Sequence, residues 1–383
     1  MAQVTNESLK VLFFSYWYPS SPRKNFAIFV KRHAKAIASV CAIEVLAVHI
    51  IKDSRLLKTN YEVKDEEGLK THHFYIQSRI YKLFYVLLPL QYWWIKRLIN
   101  KKIKPDFNFN LIHSNVLFPC GIVGYQLAKY FHCKHAISEH WSKLDKFFKV
   151  SFYRQQGTNA LNLSNALTCV SQQLSNTLNQ YHQNKNSFVI PNVIDSSNFY
   201  VDQRIQKNKT ITFTAVAHWH APKNPFYFLE ALKQLHELKK LGDFKLILIG
   251  TGQLLEEIKQ HAYPFEIEMP GNLNTNDLRT HLNKCHYFLH GSDYETFSVV
   301  IVEALLCGLP SIVSPVGIAS EVINEKNGLI ALNEVNDWKD KIETMLKNKY
   351  DAQEISNGIG NKYSSNQVGQ EFKKVYSTLT SNS

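Results

Sequence analysis

Short β-branched or aromatic runs alternate along this chain with longer stretches in which apolar residues recur at helical spacing. In the first half the pattern predicts strands over 10–15, 43–49, 109–113, 135–138, 166–170 and 187–190, with helices near 26–39, 118–131 and 171–181. The second half repeats the rhythm, with strands over 210–217, 245–249, 265–268, 287–289 and 311–313 and helices near 225–240, 253–261, 275–284, 298–307 and 335–348. Strand–helix alternation of this kind predicts an α/β protein built on two parallel sheets.

The boundary falls where the strand at 187–190 runs into Pro191, Asn192 and Asp195 and then into the polar segment 203–209. Three pieces follow: a first Rossmann-like domain over 1–191, a second over 192–365, and a terminal helix within 366–383. Val368, Phe372, Val375, Tyr376 and Leu379 form one stripe of that helix, which is expected to pack back on the first domain. Ligands of such sheets bind at the carboxyl ends of the strands, so two of them facing each other would enclose a cleft.

With 383 residues, 45% of them hydrophobic and 13% aromatic, the chain is long and apolar enough for two cores, which excludes a disordered protein. The six cysteines include no close pair of the kind a zinc site uses, and they read as reduced thiols. Glu7 and Lys10 precede the first apolar run and no small-residue cleavage site follows, so the expected location is the cytoplasm. One apolar stretch, 83–95, is 13 residues long and contains Pro89, whereas a spanning helix needs roughly 20 residues.

Charge divides the chain unevenly. Residues 1–195 carry 25 Lys and Arg against 11 Asp and Glu, while the remainder carries 19 against 21. The excess favours an anionic partner: lipid headgroups, a phosphorylated acceptor or nucleic acid. Lys96, Arg97, Lys101, Lys102 and Lys104 follow the aromatic stretch, which reads either as a helix lying in a membrane interface or as a core helix with a solvated basic end.

The densest chemical signal is the segment SDYETFSVVIVEALLCGLPSIVSPVG, residues 292–317. A polar loop ending in Glu295, Thr296 and Phe297 enters a helix at Ser298 that stops at Gly308. Its only charged residue is Glu303, expected to be sunk in a helix buried all round. There a carboxylate needs donors, which either the two hydroxyls of a ribose or a buried Lys or Arg would supply. The helix N-terminus nearby favours a phosphate.

Glu295, Glu303, Ala304, Gly308 and Pro310 in this spacing resemble the Glu-x-Phe-Gly, Glu-Ala, Gly-x-Pro signature of the retaining GT-B glycosyltransferases of family four, also called group one. Ser292, Glu321, Asn327-Gly328 and the crossover Asn192-Val193-Ile194-Asp195 extend the likeness. The resemblance implies a GT-B fold, two Rossmann-like domains facing each other across a cleft. It implies sugar transfer from a nucleotide-diphosphate sugar, as donor substrate and with no cofactor, to a glycan or lipid-linked saccharide, with retention of anomeric configuration. Enzymes of this kind often build surface polysaccharides such as lipopolysaccharide or capsule, here with peripheral contact on the inner face of an anionic cytoplasmic membrane.

Position by position, the resemblance gives Glu295 the donor-sugar hydroxyls, the N–H groups of Phe297, Ser298 and Val299 the distal phosphate, and Glu303 the ribose. Lys223, in AVAHWHAPKN, matches the lysine that neutralises the departing diphosphate. His218 stands where the family usually has arginine, a departure that matters because an imidazole is mostly neutral near pH 7. Gly250 lies in a loop near the nucleotide, Asn272 and Leu273 in the segment whose backbone reads the base, and His140 matches a histidine held against the donor sugar. In the loop after the first strand, Arg23, Lys24 and Asn25 replace the family's usual glycines. No Asp-x-Asp pair is present, Asp293-Tyr294-Glu295 being the nearest approach, and catalysis without a metal is expected. A sugar-nucleotide epimerase of related fold, or a non-catalytic protein binding anions or nucleic acid, remains the alternative.

Overall fold

The computed structural model describes residues 9–21, 23 and 26–380; Lys24 and Asn25 lie outside them. The chain divides into two compact units, Met1–Val193 with Ser365–Ser383, and Ile194–Ser364.

The described residues of unit 1 form eight strands, β1 (Lys10–Ser15), β2 (Ala42–Lys52), β3 (Lys58–Asp65), β4 (Lys70–Ser78), β5 (Leu111–Asn115), β6 (Lys134–Glu139), β7 (Ala166–Cys169) and β8 (Ser187–Val189), in the order β3-β4-β2-β1-β5-β6-β7-β8. The sheet is not wholly parallel, because β3 pairs antiparallel with β4. The apolar pattern misses both strands. β3 is a largely exposed edge strand, and β4 buries polar-looking residues: His72 bonds Glu44 and Tyr61, and His73 bonds His49 and Glu66. The core of the unit packs Val11, Phe13, Val45 and Leu111 against the helix Ile28–Ala38 and the terminal helix Ser365–Thr380, whose stripe from Val368 to Leu379 is buried there. His113 of β5 also hydrogen-bonds the Tyr376 hydroxyl.

The apolar stretch at 83–95 is two helical pieces, Tyr81–Phe84 and Leu88–Leu98, the second opening with Pro89 in its first turn, where proline fits. Among the described residues no helix is long and apolar enough to cross a membrane. All six cysteines are free thiols.

Unit 2 carries β9 (Ile211–Val216), β10 (Phe244–Ile249), β11 (Glu266–Gly271), β12 (Tyr287–His290), β13 (Ser311–Val313) and β14 (Gly328–Ile330), all parallel, in the order β11-β10-β9-β12-β13-β14. Phe213, Leu246 and Leu248 of the central strands pack against the helices Phe226–Glu237 and Val335–Lys347 through Phe228, Leu232, Trp338 and Ile342. The order turns outward from β9 in two directions. The carboxyl ends of β9, β10 and β12 therefore meet at the switch point where such sheets take ligands.

Candidate functional site

The loops leaving β9, β10 and β11 are bound to one another by their backbones. Ala217 N–H donates to Ile249 O, Trp219 N–H to Thr251 O, Leu254 N–H to Trp219 O, and Gly250 N–H to Gly271 O, at 2.8–3.1 Å. The buried Trp219 indole N–H adds a bond to Ile249 O at 2.9 Å. This approach is close enough to require glycine: a Cβ on Gly250 would stand 1.9 Å from Ala217 O, and one on Gly252 2.2 Å from Trp219 O, with φ at +115° and +154°. His218 projects from this framework into solvent, edge-on to His220 with ring centroids 4.7 Å apart. Asn272 sits beside Thr251, 3.4 Å between Oδ1 and Oγ1, with the half-buried Leu273 following it.

The β9 loop is also tied to the loop after β12. Lys223 and Ser292 form an antiparallel bridge, Asn224 N–H donates to Gly291 O, and Asp293 N–H donates to Pro222 O. The Lys223 ammonium thereby meets the Glu295 carboxylate as an ion pair. Burial pulls the Lys223 ammonium down to about 8, and the Glu295 charge beside it acts in the opposite sense. His290, at the end of β12, is held neutral, down to about 3, by burial and then by the Lys223 charge. Its approach to Glu295 at 3.5 Å is therefore no ion pair.

Ser298 adopts a left-handed backbone, φ 75°, just before the helix Val299–Leu306, and turns its hydroxyl onto His290 Nε2 at 2.7 Å. Its side chain consequently makes no capping bond, so the first-turn N–H groups keep the positive end of the helix dipole uncovered by a side-chain cap. Phe297 is fixed behind this turn by its carbonyl, which accepts from Ile318 N–H at 2.9 Å.

Glu303 departs from the sequence expectation. The helix is buried on one side only: Ile301, Val302, Ala304, Leu305 and Leu306 are buried, while Val299, Val300 and Glu303 are half-buried. These three lie on one face by the i, i+3, i+4 rule, which places the carboxylate one turn below the N–H groups of the first turn.

Asp293 is engaged by neutral donors, the Tyr227 hydroxyl at 2.9 Å and the Asn333 and Asn224 amides at 3.2 and 3.4 Å. Among the described residues no group of three or more His, Cys, Asp or Glu is arranged to hold a metal ion. Lys223, Glu295, Phe297, Ser298, Val299 and Glu303 thus gather at the β9 and β12 ends, with Gly250, Asn272 and Leu273 along the adjoining β10 and β11 loops. His290 also belongs to this cluster. Sequence reasoning gave it no role, since its partner Ser298 lies across a loop of unpredictable path.

His140 belongs to unit 1, just beyond β6. It is 5% exposed, packed against His33 and Phe29 with ring centroids 5.1 and 5.0 Å away. Burial, with the neighbouring His33 and His113, holds it neutral, well below the ordinary histidine range. Its place is set by Glu139, which is fully buried and accepts from three backbone N–H groups, those of His140, Trp141 and Leu117, at 2.7–2.8 Å.

The family model described as glycosyl transferases group 1 matches residues 198–361, and the model described as glycosyltransferase family 4 matches residues 27–198. An uncharacterised glycosyltransferase of Methanocaldococcus jannaschii is 28% identical over 288 residues, 73% of this chain and 74% of that protein. The UDP-Gal:alpha-D-GlcNAc-diphosphoundecaprenol alpha-1,3-galactosyltransferase of Escherichia coli is 31% identical over 165 residues, 39% of this chain and 42% of its own. Among solved structures, sucrose-phosphate synthase from Thermosynechococcus elongatus superposes with a TM-score of 0.76 at 16% identity, covering 98% of this chain and all of that one. HepE of Anabaena, in complex with UDP and glucose, gives 0.68 at 15% identity over 97% of this chain and all of its own. These likenesses establish the GT-B fold.

Proposed function

The chain belongs to the group 1 glycosyltransferases, and from that premise we propose that it moves a sugar from a nucleotide-diphosphate sugar to a hydroxyl of a glycan or lipid-linked saccharide, retaining the anomeric configuration. The observation that carries the reading is the convergence of a half-buried lysine, Lys223, with a helix N-terminus that lacks a side-chain cap, at Val299. Both present positive charge where a departing diphosphate would need it.

In this reading the N–H groups of Phe297, Ser298 and Val299 hold the distal phosphate, Lys223 takes up the negative charge that grows as the glycosidic bond breaks, and Glu303 grips the ribose. Glu295 receives the sugar hydroxyls. Asn272 and Leu273 supply backbone to the base, and Gly250 lets the β10 loop lie close to the nucleotide. His218 adds a second cation only when protonated, and His140 is the candidate from unit 1. The acceptor hydroxyl attacks the anomeric carbon on the face the diphosphate leaves, and its proton passes to the leaving phosphate oxygen, so no covalent sugar–enzyme bond is required. The diphosphate charge is met by Lys223 and the helix end and Asp293 is already engaged, so the proposed reaction runs without a metal ion.

The Escherichia coli relative's name specifies UDP-Gal as donor and a diphosphoundecaprenol-linked acceptor, which makes UDP-sugars the first donors to try and a lipid-linked saccharide at the inner face of the cytoplasmic membrane the first acceptor. The test is nucleoside diphosphate release from a panel of UDP-, GDP- and ADP-sugars, with and without EDTA. Release that survives chelation and is lost in Lys223→Ala supports the reading; no release with any donor, together with tight DNA or RNA binding, overturns it.

A further inference from the structure

We propose that unit 1 docks on an anionic phospholipid bilayer through the outer face of the segment 79–104. From residue 68 to residue 105 the chain contains no Asp or Glu, and seven cations, Arg79, Lys82, Lys96, Arg97, Lys101, Lys102 and Lys104, occur in its last 27 residues. Folding does not hide the apolar residues among them. Ile80, Leu83, Val86 and Trp93 remain 43%, 45%, 39% and 48% exposed.

The segment is firmly seated on its inner side, so this exposure is not a frayed end. Leu88, Gln91, Ile95, Ile99 and Ile103 form the buried stripe, the Gln91 side chain bonding the Tyr16 hydroxyl and Phe84 O. Phe84 stacks on Trp94, centroids 5.7 Å apart, which joins the two helical pieces into one surface. The outward stripe is then Pro89, Trp93 and Arg97 at i, i+4 spacing, with Lys101 and Lys102 exposed in the next turn. The Arg97 guanidinium lies over the Trp93 ring at 5.7 Å. The Lys96 ammonium lies over Tyr130 at 4.7 Å.

The chemistry of this face selects its partner. A ring with a cation against it suits the level of lipid headgroups, where an amphipathic side chain has one end in acyl chains and the other in water. Exposed Ile80, Leu83 and Val86 would gain by entering the acyl boundary, whereas a nucleic acid would stack bases on aromatic faces and leave these aliphatic groups in water. A segment that carries seven cations and no Asp or Glu of its own matches phosphate headgroups in sign. The proposal stands apart from the donor chemistry, since none of these residues belongs to the cluster in unit 2.

Co-sedimentation of the full chain with vesicles of phosphatidylglycerol in phosphatidylcholine, against pure phosphatidylcholine vesicles, tests it. Preferential binding to the anionic vesicles that weakens with salt is expected. Arg97→Gln with Lys101→Gln and Lys102→Gln should lower partitioning on the order of a hundredfold at low ionic strength, each cation near the surface contributing roughly fivefold. Trp93→Ala should lower binding while leaving its salt dependence in place. All these side chains are exposed, so circular dichroism and nucleoside diphosphate release should match wild type, which separates a docking defect from a folding or catalytic one. Equal binding to both vesicle types, partitioning unchanged by the triple substitution, or tighter binding of the same surface to RNA or DNA overturns the proposal.

Discussion

Lys223 and Glu295 form an ion pair across the loops that leave β9 and β12, with only 19% and 16% of their side chains exposed. The proposed diphosphate must therefore draw the ammonium away from an internal carboxylate before it can use the charge. Lys223→Ala should weaken nucleoside diphosphate binding about ten- to a hundredfold, the range for a lost charged hydrogen bond. Glu295→Gln should strengthen diphosphate binding while slowing sugar transfer. Calorimetric titration of both variants, set beside their turnover, checks the pair; weaker diphosphate binding in Glu295→Gln would contradict the competition.

Burial sets the pH range of that binding. A free-site ammonium at about 8 is charged below that pH and neutral above it, and a bound diphosphate raises its affinity for the proton. Diphosphate affinity should thus be level below about pH 8 and fall up to tenfold per pH unit above it, until the bound-state value is reached. Lys223→Arg should remove the dependence because guanidinium stays protonated. Titrations between pH 6 and 10, a range of about four units, measure it.

Gly250→Ala tests the framework under the site. The added methyl would meet Ala217 O at 1.9 Å, on a backbone with φ of +115°, so the loops of β9 and β10 must separate. A loss of about 2–4 kcal/mol in unfolding free energy is expected, read from denaturant titration. A variant as stable as wild type would mean that the loops are not locked together.

In unit 1, Glu139 ties His140, Trp141 and Leu117 together through three N–H bonds, yet burial raises its carboxyl to about 7. A raised carboxyl favours the fold most when protonated. Its contribution is therefore complete below the ordinary value near 4.5 and declines as the pH rises to about 7. Glu139→Gln places an amide N–H₂ among N–H donors and should cost about 1–3 kcal/mol. It should also flatten the stability profile between those two pH values, a comparison that thermal melts across the interval provide.

The second unit was the more legible half in sequence, because its strands are short apolar runs such as the β10 sequence FKLILI and its site is one contiguous stretch, 292–317. Unit 1 hid β4, since the sequence KTHHFYIQS reads as polar until Glu44, Tyr61, His49 and Glu66 are seen to satisfy His72 and His73. Glu303 is legible in sequence as the charge on an apolar helix but its depth is not, because a composition of Val, Ile and Leu does not reveal that one face of the helix is open. The Lys223–Glu295 pair was invisible for a different reason: 72 positions separate the two, and only the backbone bridge between Lys223 and Ser292 brings them together.

The most direct test is a crystal structure of the full chain with an unhydrolysed nucleotide sugar. The account predicts the ribose hydroxyls on Glu303, the distal phosphate against the N–H groups of Phe297, Ser298 and Val299, and Lys223 moved from Glu295 to the diphosphate. A donor bound elsewhere, with the Lys223–Glu295 pair intact and no ligand within reach of Glu303, would contradict it.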